Sequence, residues 1–499
     1  MPSYSTPGVY VEEIASLPAS VAPVATAIPA FIGYVERTVQ PDTTDLVNTP
    51  VRITSLLEFE ALFGAAPVSA ATVDIEKTVE TGGRLVSLDV RWATSGAPAD
   101  PSFLLYYSVR MYYANGGGPC YIYPVGIYGP PSTPTTVAQA DFTAAITALE
   151  AEDEPTLLVF PDATNLSNSQ HGAVVTAALN SCVTTQDRFT IADVRNAVVG
   201  GTVTNQNVTD NFRSQVTAAA TDVLKYGAAY FPYLRTTMPF RLADTDVTIA
   251  SFVEHAIDPA NPSAAPTDTD ILATLANGDL ADLAPGAATA DTAVYSEARQ
   301  LVDSARVIMP PSGAVAGIYA RVDRTRGVWK APANVGIALS SGPAVPITDD
   351  LNGSLNVDPG SGKSVNVLRS FAGKGTLVWG ARTLAGNDSE WKYVPVRRFA
   401  NFVEESVKKA IGVYVFEPND ANTWVKVRTM IENFLSVQWR DGALQGAKPE
   451  QAFQVDVGLG KTMTAADILN GLMIVEVRLA IVRPAEFIVL RFIQKLPEA

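Results

Sequence analysis

The sequence predicts a multidomain α/β and α+β protein. It has a middle domain built on a mostly parallel sheet, an α+β C-terminal part, and extended strand arms at both ends. Three features lead there. Between residues 27 and 323, short apolar runs alternate with amphipathic helical periods, the order that builds a parallel sheet with helices on its faces. Across residues 379–439, a tract that begins and ends on tryptophan, two long helical periods flank a short β-prone run. Near each terminus an apolar, β-prone segment stands without a hairpin partner in reach.

Taken in order, Val9, Tyr10 and Val11 alternate toward Glu12 like a strand, while Pro2, Pro7, Pro18 and Pro23 bar a helix. Residues 1–22 therefore read as an arm, pairing either as an edge strand of its own domain or elsewhere. Residues 31–35 read as strand, Ser55 caps a short helix through Phe63, and residues 102–114 form a further helix. Asn115-Gly-Gly-Gly118 turns that helix into strand 120–125. Helices at 137–150, 170–184 and 210–225 then alternate with strands at 156–160, 188–193 and 227–234. Two stretches break the rhythm. Residues 65–99 suit a hairpin insertion, and residues 236–290, rich in Ala, Pro, Asp and Thr, have the composition of surface loops.

Farther on, Phe399, Phe402, Val403, Val407, Ala410 and Ile411 share one helix face, with Glu404, Glu405, Lys408 and Lys409 on the other as i,i+4 pairs. Gly412 closes the helix, and residues 413–416 read as strand. Asp420 sits at an N-cap, and Trp424, Val427, Ile431, Phe434 and Leu435 keep helical period up to Gly442. In 472–482, Met473, Val475, Val477, Leu479 and Ile481 face one way and Ile474, Glu476, Arg478 and Ala480 the other. After Pro484, residues 486–493 form a last strand apolar on both faces, an aggregation hazard unless another chain covers it.

Bulk properties narrow the function. A chain of 499 residues with 47% hydrophobic and 17% charged residues buries large cores in two or three domains. The formal charge of −15 argues against broad nucleic-acid binding. That charge is uneven: residues 1–300 carry 13 Lys/Arg against 32 Asp/Glu, whereas residues 381–499 carry 15 against 14. A nearly neutral, charge-rich C-terminal part suits packing against other subunits. Two cysteines give no disulfide framework and fit a reducing cytoplasm. The N-terminus lacks the basic and apolar regions of a signal peptide, and the most apolar late run is broken by charges and Pro484. Synthesis as a soluble cytoplasmic protein, without direct membrane insertion, is the expectation.

Sites of chemistry are weakly indicated. Gly458-Leu-Gly-Lys-Thr462 and Asp358-Pro-Gly-Ser-Gly-Lys-Ser364 resemble phosphate loops, but Val455 and Val357 stand where the first glycine is required. Turn glycines with a solvated lysine account for both. Asp162 and His171 superficially follow a serine-protease order, with no glycine-flanked serine after them; His171 is read as an N-terminal helix residue. His255 and His171 lie far apart and the cysteines have no spaced partners, so no metal site is expected. Trp391, Trp424 and Trp439 fit core and interface packing. No catalytic residue, cofactor or metal ligand is assigned, and the chain is read as a non-enzyme.

The 379–439 tract, with its W-K-Y-V-P-V-R-R-F-A-N-F-V-E-E-S run, resembles the C-terminal domain of contractile tail sheath proteins of phages and phage-tail-like injection systems. Pro7-Gly-Val-Tyr-Val-Glu-Glu-Ile14 is similar to the family's N-terminal arm, and residues 51–60 with Phe63-Gly64 to its early strand–helix unit. Asn115-Gly-Gly-Gly118, Pro161-Asp162, Pro311-Ser-Gly-Ala-Val-Ala-Gly-Ile-Tyr-Ala-Arg321 and Arg326-Gly-Val-Trp-Lys-Ala-Pro-Ala-Asn334 extend the resemblance over most of the chain. Departures lie at 65–99 and 236–290.

The resemblance implies a subtilisin-like middle domain within an outer body, 23–380, an inner sheath domain, 381–483, and a C-terminal strand arm, 484–499. It also implies a homo-oligomer of stacked hexameric rings, helical overall, around an inner tube protein, with baseplate and terminator or cap proteins as further partners. Contraction would drive the tube through a target envelope, from a virion, a released extracellular particle or a particle anchored in the cell. Arm contacts between subunits are expected at Val9, Tyr10, Val11, Phe487, Ile488, Val489, Leu490 and Phe492. Tube or inter-ring contacts are expected at Glu404, Glu405, Lys408 and Lys409, whose other reading is a solvated helix face. A static tail or capsid protein and a subtilisin-like hydrolase are the competing readings.

Overall fold

The computed structural model describes residues 20–129, 133–195, 202–218, 220–261 and 263–491. The chain divides into two compact units, a body of Ala25–Arg398 and a terminal unit of the chain from Phe399 onward with the residues before Ala25.

At the centre of the body lies a nine-stranded sheet among the described residues. Its middle six strands, in spatial order Val365–Phe371, Gly227–Phe231, Phe189–Asp193, Leu157–Val159, Pro29–Val35 and Cys120–Ile127, all pair in parallel. Antiparallel strands finish the edges: Gly375–Trp379 and Val335–Gly336 on one side, Val51–Ile53 on the other. Side chains alternate between two cores, as the period of a doubly covered sheet requires. Ala30, Ile32 and Tyr34 pack with the helices Gln139–Ala148 and Asn168–Thr185. Phe31 and Val35 pack with Leu56–Phe63, Leu105–Ala114 and Ser312–Arg326 on the opposite face. The expected alternation of strand and helix is therefore present, including the Ser55 cap on its helix.

Two helices on one face approach backbone to backbone. A Cβ at Gly313 would lie 2.4 Å from the Ser108 carbonyl oxygen, and one at Gly317 2.4 Å from that of Tyr112, so only glycine fits. Buried carboxylates hold both helix entries. Asp162 accepts from the Tyr34 N–H at 2.7 Å and from the Leu104 N–H, next to the start of one helix. Asp193 accepts from the Ser312 N–H at 2.9 Å at the start of the other.

Several expectations need correcting. The helix expected at 210–225 is broken into Asn205–Val208, a π-turn Thr209–Arg213 and Thr221–Leu224, because Arg213 turns inward and binds the carbonyls of Lys363 and Leu355. The strand expected to run to Leu234 stops at Phe231, and Leu234–Pro239 joins a different sheet with Arg306–Met309 and Ser340–Pro343.

The two irregular stretches are parts of one module. Ala71–Glu80 and Leu85–Trp92 form the expected hairpin. Val247–Ile257, inside the segment read as loops, runs parallel to Ala71–Glu80 through ten paired positions and is followed by the antiparallel Thr267–Asp270. Helix Thr292–Ser304 packs Val294, Ala298 and Val302 onto Val73, Ile75 and Phe252. Composition misled here because the partner strand lies far away in sequence.

In the terminal unit, Phe399, Phe402, Val403 and Val407 on helix Val394–Ile411 are buried, as are Val427, Met430, Ile431, Phe434 and Leu435 on helix Ala421–Arg440. The Phe402 and Phe434 rings meet at 5.8 Å. Asp420 caps the second helix by accepting from the Thr423 N–H at 2.9 Å, as expected. The strand expected at 413–416 is instead a 3-10 turn, Gly412–Tyr414, followed by a reversal. Phe453–Val457 and Val475–Leu479 form a two-stranded antiparallel sheet. The strand expected at 486–493 is not formed in its described part, residues 486–491.

Candidate functional site

Among the described residues, the ones singled out for chemistry do not come together. His171 sits in the first turn of its helix as expected, fully buried against Phe212, with neither ring nitrogen hydrogen-bonded. Burial lowers its pKa to about 4, which keeps it neutral, and no carboxylate orients it as a triad would require. Lys363 is the reverse of the solvated lysine expected: it is buried, its amine donating to the Arg213 carbonyl at 2.9 Å and to that of Val216. Asp358 closes the same turn, accepting from the Ser361 N–H at 2.7 Å. That loop is thus a buttress for the Arg213 turn rather than a phosphate cradle. Lys461, in the second glycine loop, is exposed as expected. Among the described residues no group of three or more His, Cys, Asp or Glu could hold a metal ion, and no helix is long and apolar enough to cross a membrane.

What the terminal unit offers is surface. Its two-stranded sheet has one free edge per strand among the described residues. Val475, Val477 and Leu479 alternate with exposed Glu476 and Arg478 as expected, yet the apolar side is only half buried, so the sheet is incompletely covered. Beyond it, Phe487, Ile488, Val489 and Leu490 are all strongly exposed and outside any strand. Val9, Tyr10, Val11 and Phe492 lie outside the described residues.

The four charged residues of the first helix do not share one face. Glu404, Lys408 and Lys409 are exposed, but Glu405 is buried and takes ion pairs from Lys408 at 3.4 Å and Lys409 at 3.3 Å. Position 405 lies four and seven residues after buried Asn401 and Arg398, so the helix is covered on this second side as well as along its apolar stripe.

Residues 386–495 match the family described as phage tail sheath C-terminal domain. The chain carries a sheath C-terminal domain. Similarity to solved sheath structures extends well beyond this domain. The sheath of an extracellular contractile injection system, PVC, in its contracted state is 29% identical, with a TM-score of 0.61 and 99% of each chain covered. The helical sheath of the anti-feeding prophage in its contracted state is also 29% identical, with a TM-score of 0.62, covering 99% of this chain and 100% of that one. A chain of the contracted anti-feeding prophage baseplate is 26% identical, with a TM-score of 0.63 and 98% of each chain covered. No curated protein sequence matches.

Beside the sheath domain's hairpin lies an apolar surface that sequence reasoning missed. Phe416 is completely exposed, at 103% of its reference area, and adopts φ +72°, a left-handed conformation that a bulky residue enters at a cost of about 1–2 kcal/mol. Val413 and Val415 are exposed beside it. The side-chain amide of Asn419 donates to the Leu472 carbonyl at 2.9 Å, bringing exposed Leu469 and Leu472 to the same end of the unit. Residues 412–416 and 469–474 contain no charge, and an uncharged Val-Tyr-Val-Phe run between helices was the available signal.

Proposed function

We propose that this chain is the sheath subunit of a contractile injection system, polymerising with copies of itself into a helical tube of stacked hexameric rings. Within it, the body forms the outer part, 23–380, and is the subtilisin-like domain of the family; six adjacent parallel strands covered by helices on both faces support that reading. The inner domain, 381–483, surrounds an inner tube protein, with baseplate and terminator or cap proteins at the two ends. Synthesis and assembly take place in the cytoplasm, and the finished particle acts on a target envelope.

The observation that carries this is the unfinished hairpin of the sheath domain next to an exposed apolar terminal segment. An extended strand from another copy satisfies the free backbone groups of Phe453–Val457 and Val475–Leu479 and covers the half-buried apolar side of Val475–Leu479. Phe487, Ile488, Val489, Leu490 and Phe492 at one end, and Val9, Tyr10 and Val11 at the other, are the strands we assign to neighbouring hairpins. Glu404, Glu405, Lys408 and Lys409 are assigned to tube or inter-ring contact, with Glu405 ordering the two lysines from beneath. Backbone pairing at such arms tolerates rotation of the bodies, so an extended and a contracted lattice can share one connectivity.

Negative-stain microscopy of the purified or co-expressed chain tests the proposal. Striated tubes in two lattices of different diameter are expected, and deletion of residues 1–20 abolishes them while thermal unfolding of the body is unchanged. A single fixed lattice would point instead to a static tail or capsid protein, and a chain that stays monomeric at every concentration would overturn the assignment.

A further inference from the structure

One groove of the terminal unit is lined by Val21 and Pro23 on one side and by Met430, Phe434, Val437 and Gln438 on the other, with a volume of about 250 Å³. None of these residues is charged, although the surrounding unit carries many charges of both signs. Val437 is itself half exposed along the groove. The exposed knob at Phe416 belongs to the same unit and is equally free of charge from Gly412 to Phe416.

Knob and groove sit at different ends of one helix. Phe416 precedes the start of Ala421–Arg440, whereas Met430 to Gln438 line its second half. At about 1.5 Å per residue, the two lie about 20 Å apart along the axis, so a Phe416 ring cannot fill the groove of its own chain. We infer that Phe416 of one copy seats in the Val21–Val437 groove of the next copy. The occupant is a second copy because an exposed aromatic knob and an uncharged, largely apolar groove, whose polar lining is Ser20, Asn433 and Gln438, are carried by the same compact unit. An aromatic anchor entering an apolar pocket is the usual form of an interface hot spot. Since the two surfaces differ and are offset along one axis, the contact is head-to-tail, and the rotation between successive copies sets whether it closes into a ring or runs on as a helix.

This inference rests on the chain assembling with copies of itself. The test uses the full-length chain with Phe416→Cys and Val437→Cys, since the two native cysteines are buried. After mild oxidation, the double variant gives a ladder of covalent multimers on a non-reducing gel, and the two single variants mixed together give only dimers joining position 416 to position 437. Each single variant alone gives no such ladder. In parallel, Phe416→Ser, which folds because the side chain touches nothing buried, raises the concentration needed for assembly by about 30-fold. Tubes that form without a 416–437 cross-link, or a Val437→Cys variant cross-linked to a co-expressed tube protein instead, overturn this contact and leave the sheath assignment standing. A chain that never associates overturns both.

Discussion

The body and the terminal unit solve opposite problems with similar materials. Among the described residues, seven large apolar side chains are exposed in the body, Ala25–Arg398, against thirteen in the much shorter terminal unit. The body ends its sheet on short antiparallel edge strands and answers its buried polar groups internally: Arg213 and Lys363 by carbonyls, Asp162 by the strand N–H of Tyr34 and the Leu104 N–H, and Asp193 by the Ser312 N–H at a helix start. The terminal unit leaves a hairpin open, a terminal segment bare and Phe416 in solvent. This contrast puts the candidate interaction surface in the terminal unit. A surface of that kind is stable only when other chains cover it.

The largest expected effect lies in the body. Gly317→Val drives a side chain into the Tyr112 carbonyl and costs about 3 kcal/mol or more. Calorimetry is expected to show the body's transition falling while any separate transition of the terminal unit stays put; a common shift would mean the units melt as one. Phe399→Ala, at a fully buried site of the terminal unit, costs about 3–5 kcal/mol and acts on the other transition. By contrast, Phe416→Gly is expected to leave folding intact or improve it by about 1 kcal/mol, since glycine accepts the left-handed backbone. Equal losses at Phe399 and Phe416 in chemical denaturation would erase the distinction drawn between core and display. Next in size, Lys363→Ala leaves the Arg213 and Val216 carbonyls unanswered and costs the body about 1–3 kcal/mol.

A change of pH also separates the units. Burial pushes Asp162 and Asp193 up to about 7, above the ordinary carboxyl value. The folded body then holds those protons more tightly than the unfolded chain. Their contribution is complete below about pH 4 and is lost as pH rises through about 7. Asp420 and Asp467 in the terminal unit are exposed caps, held low by the Thr423 and Thr464 N–H donors, and lose their contribution as pH falls instead. Stability measured from pH 4 to 8 is expected to decline for the body, and Asp162→Asn is expected to flatten that slope. A slope unchanged by this substitution would place the titration elsewhere.

Legibility followed the range of the interactions. Ser55 and Asp420 were readable as caps because a cap spans four residues. The alternation of Val475, Val477 and Leu479 was readable because a strand's faces repeat every two. The pairing of Val247–Ile257 with Ala71–Glu80 was not, since Val247–Ile257 lies in a stretch with the composition of loops and its partner is far away in sequence. Glu405 looked like its neighbours on a helical wheel, and only the packed helix revealed it as buried. The strand reading of residues 413–416 failed because β-prone residue types do not decide pairing, and here the chain turns and leaves Val413, Val415 and Phe416 in solvent.

Local periodicity and residue types were enough to read most of the order of strands and helices, the caps at Ser55 and Asp420, the acidic body and neutral C-terminal part, and the sheath resemblance. Packing in three dimensions was needed to settle which distant segments share a sheet, which charges go inside, and which apolar side chains are left over. That last property is a remainder, defined by what the rest of the chain fails to cover, so no local reading of residues 412–416 could supply it.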